Sequence, residues 1–207
     1  MSERRPPATA PERIVSIVLA AGAARRFGGR KQLAPLRGRP LLEHALAAAV
    51  AAPSGATVVV LGAHAEEIER GVELGGATVV RCTDWERGQG ASLRAGLAAL
   101  GPDVDAALVT LGDVPFVPTA ASERLLAARR PGLAALRASY DGRPGHPVLI
   151  ERRLFAPLTA APADANPAAL LREAGIRAVE CGDLGDPADV DTPEQLAALE
   201  RSGKSGS

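Results

Sequence analysis

Short apolar runs and stretches that read as helices take turns along this chain. Residues 14–20, 57–61, 77–81, 106–111 and 133–138 are compact runs of Val, Ile, Leu and Ala bounded by Gly, Asp or Pro, the pattern of buried strands. Between them, 41–52, 65–73, 92–100 and 119–129 are read as helices, with Pro40 suited to a first helical turn and Ser92 to an N-cap. Residues 147–150 add a strand after a turn at 142–145, and 168–174 and 193–201 form late helices. This alternation predicts a three-layer α/β/α domain, with a mostly parallel, Rossmann-like sheet wound on both sides by helices. Residues 1–12 and 201–207 are expected to be flexible ends, leaving 13–200 as one domain without internal repeats.

Composition narrows the picture. The 207 residues are 46% hydrophobic, with 42 alanines and five aromatic residues. A core of small and aliphatic side chains follows, and it suits helices packed closely on both faces of a sheet. The 24 basic residues balance 24 acidic ones, which argues against a nonspecific nucleic-acid partner. Cys82 and Cys181 lie far apart, in neither disulfide nor zinc spacing, as expected in a reducing cytoplasm. The apolar run 14–24 sits behind Arg4, Arg5 and Arg13 and imitates a signal peptide. It falls short of the roughly 20 residues a bilayer span needs. A buried strand entering a glycine-rich turn explains it better, and no membrane partner is expected.

In open α/β sheets ligands gather beyond the carboxyl ends of the strands. Three such places here carry unusual polar residues. After the first strand, Leu19-Ala20-Ala21-Gly22 leads into a loop holding Arg25, Arg26, Gly28, Gly29, Arg30 and Lys31. Glycines let a backbone approach a ligand with its N–H groups turned toward phosphate oxygens. The loop matches neither Walker A nor GxGxxG spacing. Of 24 cationic residues only two are lysines, and Lys31 is the internal one. A compact ammonium on a flexible stem can follow a phosphate whose charge moves, although a solvated basic turn would also tolerate it. The second place is 84–92. The third is Gly112-Asp113 after the fourth strand, where an aspartate suits either Mg²⁺ or a turn cap. A later acidic pair, Asp189 and Asp191, precedes Thr192-Pro193, and Asp191 or Thr192 could cap the last helix.

These residues resemble a known family. Leu19-Ala-Ala-Gly22, Arg26, Gly28, Lys31, Leu33, Pro35, Gly38 and Pro40-Leu-Leu42 are similar to the LAAGxSxRMGxxKxLxPxxGxPLL signature of nucleotidyltransferases. The nearest branch is the molybdenum-cofactor nucleotidyltransferases, the cytidylyltransferase above all. Leu61-Gly62, Trp85 with Gly88–Leu93, Gly112-Asp-Val-Pro115, Gly145-His-Pro147 and Asp189-Val-Asp-Thr-Pro193 extend the resemblance over about residues 13–200. Ala24 stands where the family has serine and Phe27 where it has methionine. The family's GDxGAxxLL stretch is altered at 163–171.

The resemblance implies a sheet of the nucleotide-diphospho-sugar transferase type. It also implies transfer of CMP from CTP to a phosphate-bearing acceptor, molybdopterin foremost, with Mg²⁺ as cofactor. Leu19, Ala20, Ala21, Gly22 and Gly112 would then lie at the nucleotide, with Arg26 at the β/γ end. Lys31 would serve the α-phosphate and transition state. Asp113 and Asp191 would hold the metal, Asp189 being a further candidate, and Gly88, Gln89 and Ser92 would line the base and ribose pocket. His146 would face the acceptor or simply shape a turn. His44, His64 and both cysteines are expected to be structural, and Trp85 to pack against the sheet edge. The LAAG form goes with cytidine rather than guanosine nucleotides. A contact with a molybdoenzyme or maturation factor also follows. Other acceptors (a sugar phosphate or methylerythritol phosphate), use of GTP, a non-catalytic cofactor chaperone and an NAD-binding oxidoreductase remain as alternatives.

Overall fold

The structure, a computed structural model, describes residues 12–162, 165–185 and 187–202. The expected flexible ends therefore lie mostly outside the described residues, as does Asp164 of the altered acceptor stretch. The strands are β1 (Ile14–Ala20), β2 (Pro35–Leu36), β3 (Arg39–Pro40), β4 (Ala56–Leu61), β5 (Thr78–Arg81), β6 (Ala106–Leu111), β7 (Ala135–Tyr140), β8 (Arg143–Glu151) and β9 (Arg177–Glu180). The helices are α1 (Leu41–Ala51), α2 (Ala65–Gly71), α3 (Gln89–Ala98), α4 (Thr119–Ala127), α5 (Phe155–Ala160), α6 (Pro167–Glu173) and α7 (Pro193–Ser202).

Every residue of β1 is buried, because this strand lies inside the sheet with helices over both faces. The sheet order is β5-β4-β1-β6-β8-β7-β9. Only β8 runs against its neighbours, so the sheet is mostly parallel, as the alternating pattern predicts. On one face α3, α5 and α6 bring Leu93, Leu97, Phe155, Leu158 and Leu171 onto Ile17, Val60 and Val109. On the other, α1 and α2 bring Leu42, Leu46 and Ile68 onto Val18, Val59 and Leu61, while α4 covers Leu108 and Leu136. Small side chains make this closeness possible. A Cβ on Gly96 of α3 would lie 3.0 Å from Ile17 Cγ2.

From β1 the chain winds one way through β4 to β5, then crosses to β6 on the far side of β1. Strand order thus reverses between β1 and β6. A crevice forms at the carboxyl ends of these two strands, where Gly22 and Asp113 lie.

Three local expectations are corrected. Ser92 is not an N-cap: α3 begins at Gln89, after Gly88. Gly88 has φ 104° and ψ −173°, a conformation open to glycine, and it starts the helix three residues early. Pro40 is the cap of α1 rather than part of its first turn. The strand expected at 133–138 is β7, two residues further on, and the turn that follows is at Asp141-Gly142, so β8 already includes Gly145. The short β2–β3 hairpin, α5 and the edge strand β9, largely exposed, had no distinct apolar pattern.

Candidate active site

The LAAG turn offers backbone rather than side chains. Leu19, Ala20 and Ala21 are buried, and their carbonyls are tied down. Gly112 N–H donates to Leu19 O at 2.9 Å and Ala63 N–H donates to Ala21 O at 2.9 Å. Gln32, which carries no signal in the sequence, is buried and donates from Nε2 to Ala20 O at 3.0 Å and Gly22 O at 2.9 Å. It clamps the turn from inside. Gly22 has nothing within 4 Å of where a Cβ would be, so its outer side faces open cleft. Gly112 is tightly fitted instead, since a Cβ there would come within 2.8 Å of Ala20 Cβ and 2.9 Å of Leu42 Cδ1.

The basic loop divides its charges. Arg30 turns away to pair with Glu67 of α2 at 2.9 Å. Lys31 turns inward, its side chain only 9% exposed, and sets Nζ 2.7 Å from Asp113 Oδ2 and 3.3 Å from Asp191 Oδ1. Arg26 reaches from the exposed rim to the other oxygen of Asp191, at 2.9 Å. Four charged groups predicted from separate stretches of sequence therefore converge. The acid loops are joined through the backbone as well, because Val190 N–H donates to Asp113 O at 2.9 Å and its side chain is fully buried.

The last loop also shows which residue caps α7. Thr192 Oγ1 accepts from Gln195 N at 3.3 Å, while Gln195 Oε1 accepts from Asp191 N at 2.7 Å and Thr192 N at 2.9 Å. This reciprocal box leaves the Asp191 carboxylate free to face Lys31 and Arg26. Asp189 is exposed and makes no ion pair with the cluster.

Three adjoining spaces form the cleft. The first is lined by Leu19, Gly22, Lys31 and Asp113, and shares Leu19, Gly22 and Asp113 with a second space of about 210 Å³. That second space is walled by Trp85, Gly88, Gln89 and Ser92, so the predicted base-pocket residues do meet there. Trp85 packs on the core, pressed against Gly62, where a Cβ would lie 2.6 Å from Trp85 Cβ; its outer side borders the cleft. Through Leu19, Gln89 and Leu111 the second space opens into a third, which contains His146 and, unexpectedly, Arg137. His146 Nδ1 lies 3.3 Å from Val109 O, and burial pushes its pKa below the ordinary value. The ring is then neutral near pH 7, with Nδ1–H the donor. A larger cavity of about 420 Å³ lies at the opposite end of the sheet, lined by Arg129 and its ion-pair partners Glu12 and Glu151 among others, away from the converging groups.

His44 and His64 are structural, as expected. Buried His44 holds Leu36 O at 2.7 Å, and His64 pairs with Glu67 at 3.5 Å. Both cysteines are buried and unpaired, and burial raises their pKa values, so the thiol form is favoured.

A divalent metal fits the acidic pair on one structural observation. Asp113 Oδ1 is buried without a hydrogen-bond partner while Oδ2 is held by Lys31. A buried carboxylate oxygen left unpaired is costly, and a metal would satisfy it. Among the described residues no cluster of three or more His, Cys, Asp or Glu forms a closed metal cage. Two carboxylates are what Mg²⁺ takes when phosphate oxygens and water complete its shell.

The model of the MobA-like NTP transferase domain matches residues 16–179. The chain belongs to this family. Among curated relatives, nicotine blue oxidoreductase of Paenarthrobacter nicotinovorans is 35% identical over 196 residues, 90% of this chain and 96% of that protein. Molybdenum cofactor guanylyltransferase of Rhodobacter capsulatus is 34% identical over 193 residues, 91% of this chain and 95% of its own length. Among solved structures, Rv0371c of Mycobacterium tuberculosis in complex with manganese matches at TM-score 0.77 and 29% identity, covering 92% of this chain and 99% of that one. At lower identity the fold recurs in nucleotide-diphospho-sugar transferase structures with TM-score 0.75. This protein is thus a MobA-like nucleotidyltransferase-family enzyme, and among its described residues no helix is long and apolar enough to cross a membrane.

Proposed function

We propose that this MobA-like protein transfers CMP from CTP to a phosphate-bearing acceptor of molybdopterin type, in the cytoplasm, releasing pyrophosphate and using Mg²⁺. The observation that carries the reading is Lys31 held between Asp113 and Asp191 at the mouth of the clamped LAAG turn. Transfer of a nucleotidyl group needs in-line placement and neutralisation of developing charge, and little covalent work from the protein.

In this reading the backbone from Gly22 onward and Arg26 receive the triphosphate. Lys31 leaves its carboxylates for the α-phosphate as an acceptor phosphate oxygen attacks phosphorus and the bond to pyrophosphate breaks. Asp113 and Asp191 hold Mg²⁺, which when bound neutralises phosphate charge. Gly88, Gln89 and Ser92 border the base and ribose. Neutral His146 faces the acceptor side. Cytidine is favoured by Ala20-Ala21-Gly22, the LAAG form.

The resemblance to a nicotine blue oxidoreductase across nearly the whole chain supports a second reading, a redox enzyme, for which an NAD cofactor in the same cleft is the alternative to test. The experiment separating them is incubation with CTP or GTP, Mg²⁺ and molybdopterin, a sugar phosphate or methylerythritol phosphate, followed by pyrophosphate measurement. Acceptor-dependent pyrophosphate release from CTP supports the cytidylyltransferase. Binding without release would instead indicate a cofactor carrier. NAD(P)H stabilisation in a thermal-shift assay without pyrophosphate release would favour the oxidoreductase.

A further inference from the structure

Arg137 is out of place by every rule of the strand that carries it. On β7, Ala135 and Arg137 face α3, α5 and α6, where the surrounding side chains are Val109, Val148, Ile150 and Leu171. A cation in such a wall ordinarily brings a carboxylate with it. Among the described residues the half-buried Arg137 side chain makes neither an ion pair nor a hydrogen bond, and its Nε is buried without a partner. The charge that acts on it is another cation, Arg172 of α6. Burial and that repulsion both work against the guanidinium charge.

We infer that Arg137 is the anion-binding residue of the acceptor subsite, holding a phosphate group of the acceptor in the space it lines together with His146. The position supports this. The space around Arg137 and His146 shares Leu19, Gln89 and Leu111 with the space that also borders Gly22 and Asp113, so a phosphate held there lies in the compartment next to the charged groups. A planar guanidinium presenting several donors matches a phosphate better than an ammonium would. Neutral His146 lines the same space without adding a second positive charge. The assignment of the anion to the acceptor rests on the nucleotidyltransferase reading above; the anion subsite itself does not.

The probe is inorganic phosphate, titrated in thermal-shift and ³¹P NMR experiments against the full chain, with Mg²⁺ and a non-hydrolysable CTP analogue filling the nucleotide site. Phosphate should stabilise the wild type, and Arg137→Met should bind it at least ten-fold more weakly, the loss of one charge-assisted hydrogen-bonding group being worth about ten- to hundred-fold. Arg137→Met should also unfold at a higher temperature than wild type without phosphate, because an unpaired buried cation is gone. A merely structural arginine would give the opposite sign, and that result would overturn the inference. Equal phosphate response in wild type and Arg137→Met would overturn it too. A ten-fold loss of CTP-analogue affinity in Arg137→Met would assign the residue to the nucleotide and overturn the acceptor subsite. The same titration in Lys31→Ala protein without nucleotide reads the subsite alone. A response that persists there and vanishes in the Lys31→Ala/Arg137→Met double variant supports the subsite even if CTP proves not to be the substrate.

Discussion

Lys31 is nearly buried, yet both of its partners are acids that a metal would claim. Its ammonium and the Arg26 guanidinium together offset Asp113 and Asp191, two charges against two. In the proposed reaction a bound metal–triphosphate would replace these pairs with phosphate pairs, so Lys31 would gain little in the ground state. It gains most when charge builds on the transferring group, since only interactions stronger in the transition state raise turnover. Lys31→Ala is therefore expected to lower kcat by about 100- to 1,000-fold, the usual loss for one preorganised donor. The KM for CTP should change far less, and steady-state kinetics separate the two. A defect confined to KM would contradict this role. Asp113→Asn keeps the side chain's shape but removes the charge whose second oxygen has no partner. It should abolish metal-dependent turnover while the melting temperature stays within a few degrees. Near-normal Mg²⁺ dependence of turnover would take Asp113 out of the site.

The elements show why Asp191 points where it does. The Thr192–Gln195 box fixes the start of α7, and Gln195 also accepts the Asp191 backbone N–H. Gln195→Ala removes both bonds from an exposed helix start, at a cost to stability of about 1 kcal/mol or less. The loop it loosens carries one of the two carboxylates, so the Mg²⁺ concentration for half-maximal activity should rise while the urea midpoint barely moves. An unchanged Mg²⁺ response would mean that the backbone bond from Val190 to Asp113 alone positions Asp191. Much of this is legible in the sequence. Lys31 stands out as the internal lysine, and Asp113 and Asp191 as carboxylates just after a strand and just before a helix, while the strand order that brings them together is seen in the structure. Gln32 is not legible, because a glutamine beside a lysine in a polar loop gives no sign that it faces inward onto two carbonyls. Arg137 has a faint signal, one cation at a core-facing position between Leu136 and Ala138. The apolar run there starts two residues ahead of β7, however, and hides which way the strand faces. The start of α3 is equally hidden, because Ser92 is a better cap by composition than Gly88, whose backbone angles decide the matter.

At the scale of the whole molecule, the cleft joins two regions of different character. Charged groups lie at the carboxyl ends of the paired strands β1 and β6, and a mostly apolar space lies beyond, against antiparallel β8. His146 lines the second of these regions, and its protonation state bears on the stability of the entire fold. Burial is the main cause of its lowered pKa, and Arg137 adds repulsion; the Val109 carbonyl and the charges of Asp113 and Asp189 oppose these only in part. In the unfolded chain the same ring titrates near its ordinary 6.5. Above that pH both states hold His146 neutral, and its contribution to stability is fully present. As pH falls below 6.5 the unfolded chain takes up the proton first, so stability is lost until the folded-state pKa is passed. The slope approaches about 1.4 kcal/mol per pH unit for one such group. Between pH 6.5 and 5, before carboxylates dominate, the urea midpoint of the wild type should fall more steeply than that of His146→Asn, whose amide can still donate to Val109 O. If His146 instead carried a proton to serve the acceptor, its folded pKa would lie above the unfolded value. The wild type would then gain stability relative to His146→Asn on acidification, opposite in sign to the loss that a buried neutral ring requires.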